Sequence, residues 1–317
     1  MTLHEKEAEA IKRLQCFAPR GGGEKYWLCY SGGKDSDCIR ILASLAGVPH
    51  EMHHNLTTVD APETVQYIKT VEGVSIDKSY YDDGRPKTMW NLIQKKLVPP
   101  TRIMRYCCSE LKEHGGKGRL KITGVRWAES VARAERAGVI NSVGKPRNTE
   151  KLLAKLGIHN YRINRQGGLV LNANTGDNSV ITGINDFVQQ CYRDRSLTVN
   201  PIVDWTDSDV WQFLRHYGCE SNPLYQCGEK RVGCIGCPLS TAKNMRKDFA
   251  RYPQYKKNYI AAFDKMCKLR EQRGMYNNGA WSDGAHVMAW WIGDDIDQLT
   301  FFDDDEIEQI AYEMGLS

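Results

Sequence analysis

Tyr26-Trp27-Leu28-Cys29-Tyr30-Ser31-Gly32-Gly33-Lys34-Asp35-Ser36-Asp37-Cys38-Ile39 decides how this chain is read. A short apolar β-type run breaks into a Ser/Gly turn, and a helical pattern continues through Arg40-Ile41-Leu42. Gly32 and Gly33 let the backbone turn sharply and approach a ligand closely. The N–H groups freed at the turn, and the helix N-terminus behind it, aim partial positive charge at one point. Lys34 adds a full charge there, and Ser31 and Ser36 add hydroxyl donors. Strand, hexapeptide and helix together describe an anion cradle, whereas Gly-Gly alone would be a surface turn. The spacing is not that of a Walker loop, which needs Gly-x-x-x-x-Gly-Lys-Ser/Thr.

Composition limits the alternatives. The chain has 317 residues, 41% of them hydrophobic, enough for one large or two modest domains. No run of about 18 apolar residues occurs, so a transmembrane helix is not expected. The opening Met1-Thr2-Leu3-His4-Glu5-Lys6-Glu7 is charged and helix-like rather than a signal peptide, so a cytoplasmic location is expected. Eleven cysteines are many for such a chain. In a reducing compartment, clustered cysteines read as metal ligands or reactive thiols, not a disulfide framework.

The net charge of +4 is unevenly placed. Fifteen Lys/Arg face five Asp/Glu between Arg102 and Leu171, while Asp294 to Glu313 holds nine acidic residues and no Lys or Arg. The basic stretch suits nucleic acid phosphates, the charges of one ATP, or a solvated face.

Along the chain, residues 5 to 16 carry a helical apolar spacing (Ala8, Ile11, Leu14), followed by the joint Gly21-Gly22-Gly23. Met52 to Val59 is β-type, and Pro62 suits the start of a helix over Glu63 to Lys69. Leu120 to Val125 reads as another strand, with a helix following through Arg133. This alternation predicts an α/β fold, a doubly wound, mostly parallel sheet. Residues 137–180 break the rhythm and read as an insertion in a nucleotide-binding domain over 1–200. Residues 201–317 read as a helical, cysteine-containing region that completes a metal or cluster site. Helices are expected at Ser208 to Tyr217, Tyr252 to Arg270 and Asp303 to Met314. Trp281, Trp290 and Trp291 read as core or interface anchors.

Two cysteine pairs stand out. Cys107 and Cys108 lie in Arg105-Tyr106-Cys107-Cys108-Ser109-Glu110-Leu111-Lys112, and Cys234-Ile235-Gly236-Cys237-Pro238 supplies a Cys-x-x-Cys knuckle. Four thiolates brought together match zinc or an iron–sulfur cluster. Either pair alone would also suit a redox motif or a buried pair. Gly124-Val125-Arg126-Trp127-Ala128-Glu129-Ser130, with Arg133, is the third landmark. Arg126 and Arg133 are seven apart, so a helix would put both on one face, as forks suited to phosphate. Glu129–Arg133 would equally make a surface i,i+4 pair. Asp35 and Asp60 are candidate magnesium (Mg) ligands, although Asp35 could instead cap the helix. His53 and His54 read as structural.

The hexapeptide Ser31–Ser36 resembles the PP-loop of the N-type ATP pyrophosphatase superfamily, which is adenine-nucleotide α-hydrolase-like and Rossmann-like. Ser31–Ser36, Arg105–Lys112, Gly124–Arg133, Asn200–Trp211 and Pro223–Pro238 together resemble the phosphoadenylylsulfate (PAPS) reductase family. The closest likeness is to its iron–sulfur branch, which includes adenylylsulfate (APS) reductases. That resemblance implies that Ser31, Gly32, Gly33, Lys34, Asp35, Ser36, Asp60, Gly124, Arg126 and Arg133 bind ATP with Mg. Lys34, Asp35 and Arg126 would carry the chemistry. It also implies a 4Fe-4S cluster on Cys107, Cys108, Cys234 and Cys237, with zinc (Zn) the alternative. Cys219, Cys227, Cys234 and Cys237 resemble instead the cysteine cluster of DndC-type proteins of DNA phosphorothioation, though the first position differs in spacing.

Two departures bear on activity. Sulfonucleotide reductases carry a thiol near the C-terminus in Glu-Cys-Gly-x-His, whereas the last cysteine here is Cys267. Their loop also usually departs from Ser-Gly-Gly-Lys-Asp-Ser. The expectation is therefore an ATP pyrophosphatase that adenylates its substrate for sulfur transfer. A sulfur donor protein, DNA or tRNA, and a homodimer are the expected partners. The alternatives are thiol-dependent reduction of PAPS or APS, using Cys267 or a partner's thiol, and a nucleotide- or nucleic-acid-binding module without turnover.

Overall fold

The computed structural model describes residues 1–143, 161–163, 169–171, 188–189, 196–275 and 281–293. Most of 137–180 and the helix expected over Asp303 to Met314 lie outside these residues. The chain forms two compact units that interleave in sequence. One takes Met1–His54, Glu63–Ile76 and the described part of Gly116–Val232; the other takes Asn55–Pro62, Asp77–Gly115 and the described residues from Gly233 onward.

The first unit is built on a sheet. Its strands are β1 (Tyr26–Cys29), β2 (His50–Asn55), β3 (Val74–Asp77), β4 (Lys121–Ile122), β5 (Ile140–Val143), β6 (Tyr161–Ile163), β7 (Leu169–Leu171) and β8 (Ser196–Val199). Their spatial order is β3-β2-β1-β4-β8-β5-β7-β6. β1 pairs in parallel with β2 and β4, and β4 in parallel with β8, aligning Leu28 with Ile122 and Ile122 with Val199. Those three side chains are wholly buried, as strands covered on both faces must be. β5 runs antiparallel to β8, and β7 antiparallel to β5 and β6. The fold is thus α/β with a parallel centre, as the strand–helix alternation predicts, extended by antiparallel strands from the segment that breaks the rhythm. β2 begins at His50 and ends at Asn55, and just beyond it Leu56 N–H donates to Asp77 O at the end of β3 (2.8 Å).

The order places a switch between β1 and β4. From β1 the chain crosses to β2 on one side, and it later returns to β4 on the other. In open α/β sheets the crevice at such a point, at the carboxyl ends of the strands, receives ligands. The loop after β1 and Gly124 after β4 both sit there.

Helices α1 (Leu3–Cys16), α2 (Lys34–Leu45), α3 (Pro62–Thr70), α4 (Met89–Lys96), α5 (Val131–Arg136) and α6 (Asp207–His216) follow local signals. Thr2 and Glu5 form a capping box for α1, and Thr206 and Asp209 do so for α6. The first unit's core joins Leu14 of α1, Ile39 and Leu42 of α2, and Phe213 and Leu214 of α6 to the sheet. Trp205, fully buried, meets Phe213 edge-on, with ring centroids 5.1 Å apart. Arg13 reaches out of α1 to fix the approach to α6. Its Nη1 donates to Pro201 O (2.8 Å), and its guanidinium grips both Asp204 oxygens (2.8 and 2.9 Å). Removing one partner of such a buried pair costs about 3–5 kcal/mol, because the other charge is stranded. His53 stacks on Trp27 (6° between planes), and His54 Nδ1 lies 3.1 Å from Tyr30 O, both structural placements.

The second unit is helical, with α4 joined by α7 (Ala242–Arg251), α8 (Pro253–Gln272) and α9 (Gly284–Trp291). Its core is aromatic, with Trp291 against Phe249, Tyr259 and Phe263. Trp291 Nε1 donates to Pro100 O (2.6 Å), so Trp291 is a core anchor, and Trp281 is buried as well. Gly284 is required where α9 meets α8, since a Cβ there would stand 2.2 Å from Ile260 O. Among the described residues, no helix is long and apolar enough to cross a membrane.

Candidate functional site

The loop between β1 and α2 is held from behind by groups that consume its inward-facing atoms. Gly32 has φ +71°, and a Cβ would lie 2.8 Å from Ile68 Cγ1, so no other residue fits this turn without displacing α3. Asn222, wholly buried, donates from Nδ2 to Gly32 O (3.0 Å) and to Thr64 Oγ1 (3.1 Å). Ser36 Oγ accepts from Gly33 N–H (3.1 Å) and donates to Gly33 O (2.7 Å), with Ser31 Oγ 3.3 Å away. Tyr225 OH accepts from Lys34 N–H (2.9 Å). First-turn amides of a helix have no partner within it, so α2 presents donors and its positive dipole end at this turn.

Charge converges on the same point. Arg126, 1% exposed, donates from Nε to Asp35 Oδ1 (2.7 Å), from Nη2 to Asp207 Oδ1 (2.7 Å) and from Nη1 to Trp205 O (3.2 Å). Lys34 Nζ stands 3.4 Å from Asp35 Oδ2 and 3.5 Å from Asp207 Oδ1. The Asp207 side chain is 71% exposed. Burial would raise its carboxyl, but the Arg126 hydrogen bond and the charges of Lys34 and Arg126 outweigh this and hold it below the usual range. Gly124 lets the end of β4 abut α2, since a Cβ would meet Asp35 O at 3.0 Å. Glu129 Oε2 accepts from Arg126 N–H (3.2 Å) and pairs with Arg133, but not along the single helix expected for Arg126 to Arg133. Arg126 and Ser130 are extended, a 3-10 turn spans Trp127–Glu129, and α5 begins at Val131. Arg133 is driven below the usual arginine value by burial and then by the charge of Arg231, against the pull of Asp35.

The structure therefore gathers Ser31, Gly32, Gly33, Lys34, Asp35, Ser36, Gly124, Arg126 and Arg133 in one unit. Asp60 lies in the other. There its carboxylate accepts from Thr57 N–H (2.7 Å) and its backbone bridges to Cys234. Sequence reasoning did not single out Asn222, Tyr225, Asp207 or Trp211. Asp207 was hidden in a run that reads as a helix start, and Tyr225 in a motif quoted without a role for its ring. A cavity of about 630 Å³ opens beside Lys34, lined among others by Asp207, Trp211, Tyr225, Glu229 and Lys230.

The cysteine pairs share the second unit. Cys108 accepts from Arg105 Nη2 (3.4 Å). Hydrogen bonding between the adjacent Cys107 and Cys108 thiols is the chief influence and brings the Cys108 thiol below its usual value. Cys107 is pushed up by that same bond, by burial and by the charges of Cys108, Cys234 and Cys237. Cys234 is pushed up to about 11, first by burial, while Lys112 counters this. The Lys112 ammonium is stabilised most by Cys234, and also by Asp60, Cys108 and Cys237, against desolvation. Cys108, Cys234 and Cys237 thus share one lysine, and Cys107 is an electrostatic neighbour of the other three thiols. Ile235 N–H donates to Val59 O (2.8 Å), and Tyr259 OH to Ile235 O (3.2 Å), fixing the knuckle. Among the described residues, no three His, Cys, Asp or Glu side chains are arranged to hold a metal ion. Cys219 belongs to the first unit, 3.5 Å from Arg40 Nη2, and Cys227 is exposed.

Residues 25–240, more than half of the chain, match the phosphoadenosine phosphosulfate reductase domain. A phosphoadenosine 5'-phosphosulfate reductase of Xylella fastidiosa (strain M12) is 32% identical over 65 residues, 20% of this chain and 27% of that protein. An uncharacterized 37.8 kDa protein of Escherichia phage 186 is 41% identical over 54 residues, 17% of this chain and 16% of that protein. In these alignments the chain spans less than a third of either relative's length. Among solved structures, a phosphoadenylyl-sulfate reductase of Candida auris, in a phosphate complex, aligns with a TM-score of 0.39 and 10% identity. It covers 74% of this chain and 95% of that one. Candida glabrata FMN adenylyltransferase with ATP gives 0.40 and 13%, covering 74% and 62%. At those scores the likenesses add nothing about chemistry.

Asp37, just behind the loop, supplies a test. Burial pushes its carboxyl up to about 6, although Tyr30 OH (2.6 Å) and Tyr67 OH (3.0 Å) both donate to it. A carboxyl raised on folding favours the native state at low pH, and that contribution is lost as pH rises through the folded value. Asp37→Asn is therefore expected to gain stability relative to wild type as pH rises from about 4 to about 6, with the difference level above that. Thermal unfolding across this range checks it, and a pH-independent difference would contradict it.

Proposed function

Because the chain belongs to the phosphoadenosine phosphosulfate reductase family, we propose that it is a PP-loop ATP pyrophosphatase that adenylates a substrate for sulfur transfer. The observation that carries this reading is the meeting of Lys34 and Arg126 with the N-terminus of α2 at an intact Ser-Gly-Gly-Lys-Asp-Ser turn. Such donors, fixed before the substrate arrives, stabilise charge where it develops.

In the proposed reaction a substrate oxygen attacks the α-phosphorus of ATP, and the bond to the β-phosphate oxygen breaks. Pyrophosphate leaves with the electron pair, the attacking group loses its proton, and the substrate is left carrying AMP. Hydrosulfide from a sulfur donor then attacks the activated centre, a bond to sulfur forms, and the bond to the adenylated oxygen breaks, so AMP leaves with that oxygen and its electron pair. Lys34 and the α2 amides would hold the departing pyrophosphate. Arg126 would orient Asp35 and neutralise the α-phosphate side, and Ser31 and Ser36 would shape the turn. Asp35, with Asp207 in place of the Asp60 expected from the sequence, would hold magnesium beside the phosphates, where that ion would add Lewis-acid stabilisation.

Cys107, Cys108, Cys234 and Cys237 would hold a 4Fe-4S cluster, with Zn the alternative: the four thiols fall in one unit as electrostatic neighbours, with Cys234 and Cys237 on a fixed knuckle, and they would have to draw together around the bound group. Bound there, the cluster would supply electron transfer or a docking point for sulfide.

The names of the Xylella relatives favour a second reading, reduction of a sulfonucleotide by a thiol. Cys267 is 2% exposed and pushed up to about 11 by burial, so the thiol in that case would come from a partner. The two readings differ in what is consumed. Incubated with sulfide and a mixture of small-molecule and nucleic acid acceptors, the chain is expected to convert ATP into AMP and pyrophosphate. Release of sulfite from PAPS or APS with a thiol donor, and no AMP from ATP, would overturn the first reading. Iron and sulfide assays on anaerobically purified protein test the ligand set: Cys107→Ala is expected to lose most of both, and full retention would contradict the assignment.

A further inference from the structure

We infer that the cavity beside Lys34 is the subsite for the acceptor, and that it takes a nucleobase ring. This rests on the adenylating reading above. The cavity shares Lys34 with the loop, so whatever fills it lies next to the phosphates. Its volume, about 630 Å³, suits a nucleoside or nucleotide rather than a small inorganic anion.

The lining selects the chemistry. Trp211 and Tyr225 form an aromatic corner, with ring centroids 5.0 Å apart and planes at 90°. The corner is fixed relative to the loop, because Tyr225 OH accepts from Lys34 N–H and lies 3.2 Å from where a Cβ on Gly33 would be. Half-buried rings facing a cavity offer a stacking platform for a planar ligand. Asp207 and Glu229 place carboxylates on the same cavity, and Lys230 and Gln226 place donors there. The two carboxylates offset the charges of Lys34 and Lys230, so the lining has no net charge to select an inorganic anion, and its polar groups disfavour an apolar ligand. A nucleobase has the flat face, exocyclic N–H groups for the carboxylates, and ring carbonyls for the donors. One of those carbonyl oxygens is a group that adenylation activates.

The surroundings fit a base that carries a phosphate. Lys230 lines the cavity and Arg231 follows it in sequence, and both are exposed. Exposed cations there suit a phosphate on the base's own ribose. The ring could come from a free mononucleotide or from a base within an oligonucleotide.

Calorimetric titrations of the whole chain, held in excess magnesium and a non-hydrolysable ATP analogue, separate these sources. The probes are the four ribomononucleotides and mixed-sequence single-stranded DNA and RNA. At least one probe is expected to bind. Trp211→Ala is expected to weaken that probe about tenfold or more, as loss of a stacking contact does, while the affinity for the analogue stays within about twofold of wild type. Glu229→Gln, which leaves the packing in place, is expected to change the order of preference among bases. Salt-sensitive binding of the oligonucleotides alone would assign the ring to nucleic acid. Mononucleotide binding would assign it to a free nucleotide. The inference is overturned if no probe binds, if both variants leave probe binding unchanged, or if Trp211→Ala weakens the ATP analogue itself, which would make the cavity the adenine pocket. Failure of the wild type to bind the analogue would instead sink the adenylating reading on which the inference rests.

Discussion

A guanidinium buried to 1% exposure holds the first unit's working end together. Arg126 leaves the end of β4, and each of its arms is answered by a different element: Asp35 in the first turn of α2, Asp207 at the start of α6, and the carbonyl of Trp205. Burying a lone positive charge is prohibitive, so these elements must arrive together or not at all. Acidic residues in the first turns of α2 and α6 favour both helix N-termini, so the groups that neutralise Arg126 also help start the helices that carry them. The cost is that Lys34 and Arg126, the two cations of the site, are engaged by carboxylates in this state. A polyphosphate entering the cradle would take over those contacts, with a metal ion reconciling Asp35 and Asp207 to its charge.

What could be read from residues alone follows from the range over which each signal acts. The turn at Ser31–Ser36, the leading helix through Cys16 and the start of α3 at Pro62 are local, and the structure has them where the sequence places them, with α1 beginning slightly earlier, at Leu3. The parallel centre of the sheet followed from alternation. Its antiparallel edge did not, because Tyr161–Ile163 and Leu169–Leu171 are three-residue strands whose pairing is decided by neighbours distant in sequence. The roles of Asn222 and Tyr225 were not legible for the same reason, although both stand in or beside a stretch that resembles the family. Nothing within a few residues of either shows that it bonds a glycine carbonyl or a lysine amide some 190 positions away. Asp207 looked like one more helix-start acid until the fold set Arg126 against it.

The second unit makes a complementary point about cysteines. Cys107 and Cys108 are adjacent, and Cys234 and Cys237 are one knuckle, so each pair is local while their union is not. The backbone pairing of Asp60 with Cys234 and of Val59 with Ile235 builds that union. Lys112 then stabilises negative charge on three of the thiols. The four positions chosen from the family resemblance fall in this unit, whereas Cys219 is engaged with Arg40 in the other.

The central claim is that the turn after β1 grips the phosphate tail of a nucleotide. Magnesium pyrophosphate carries that tail and nothing else, so its calorimetric titration into the whole chain is the most direct measurement. Saturable binding is expected, displaced by ATP and lost in Lys34→Ala while far-UV circular dichroism is unchanged. Absence of binding to the folded wild type, or equal binding to the folded Lys34→Ala variant, would contradict the account.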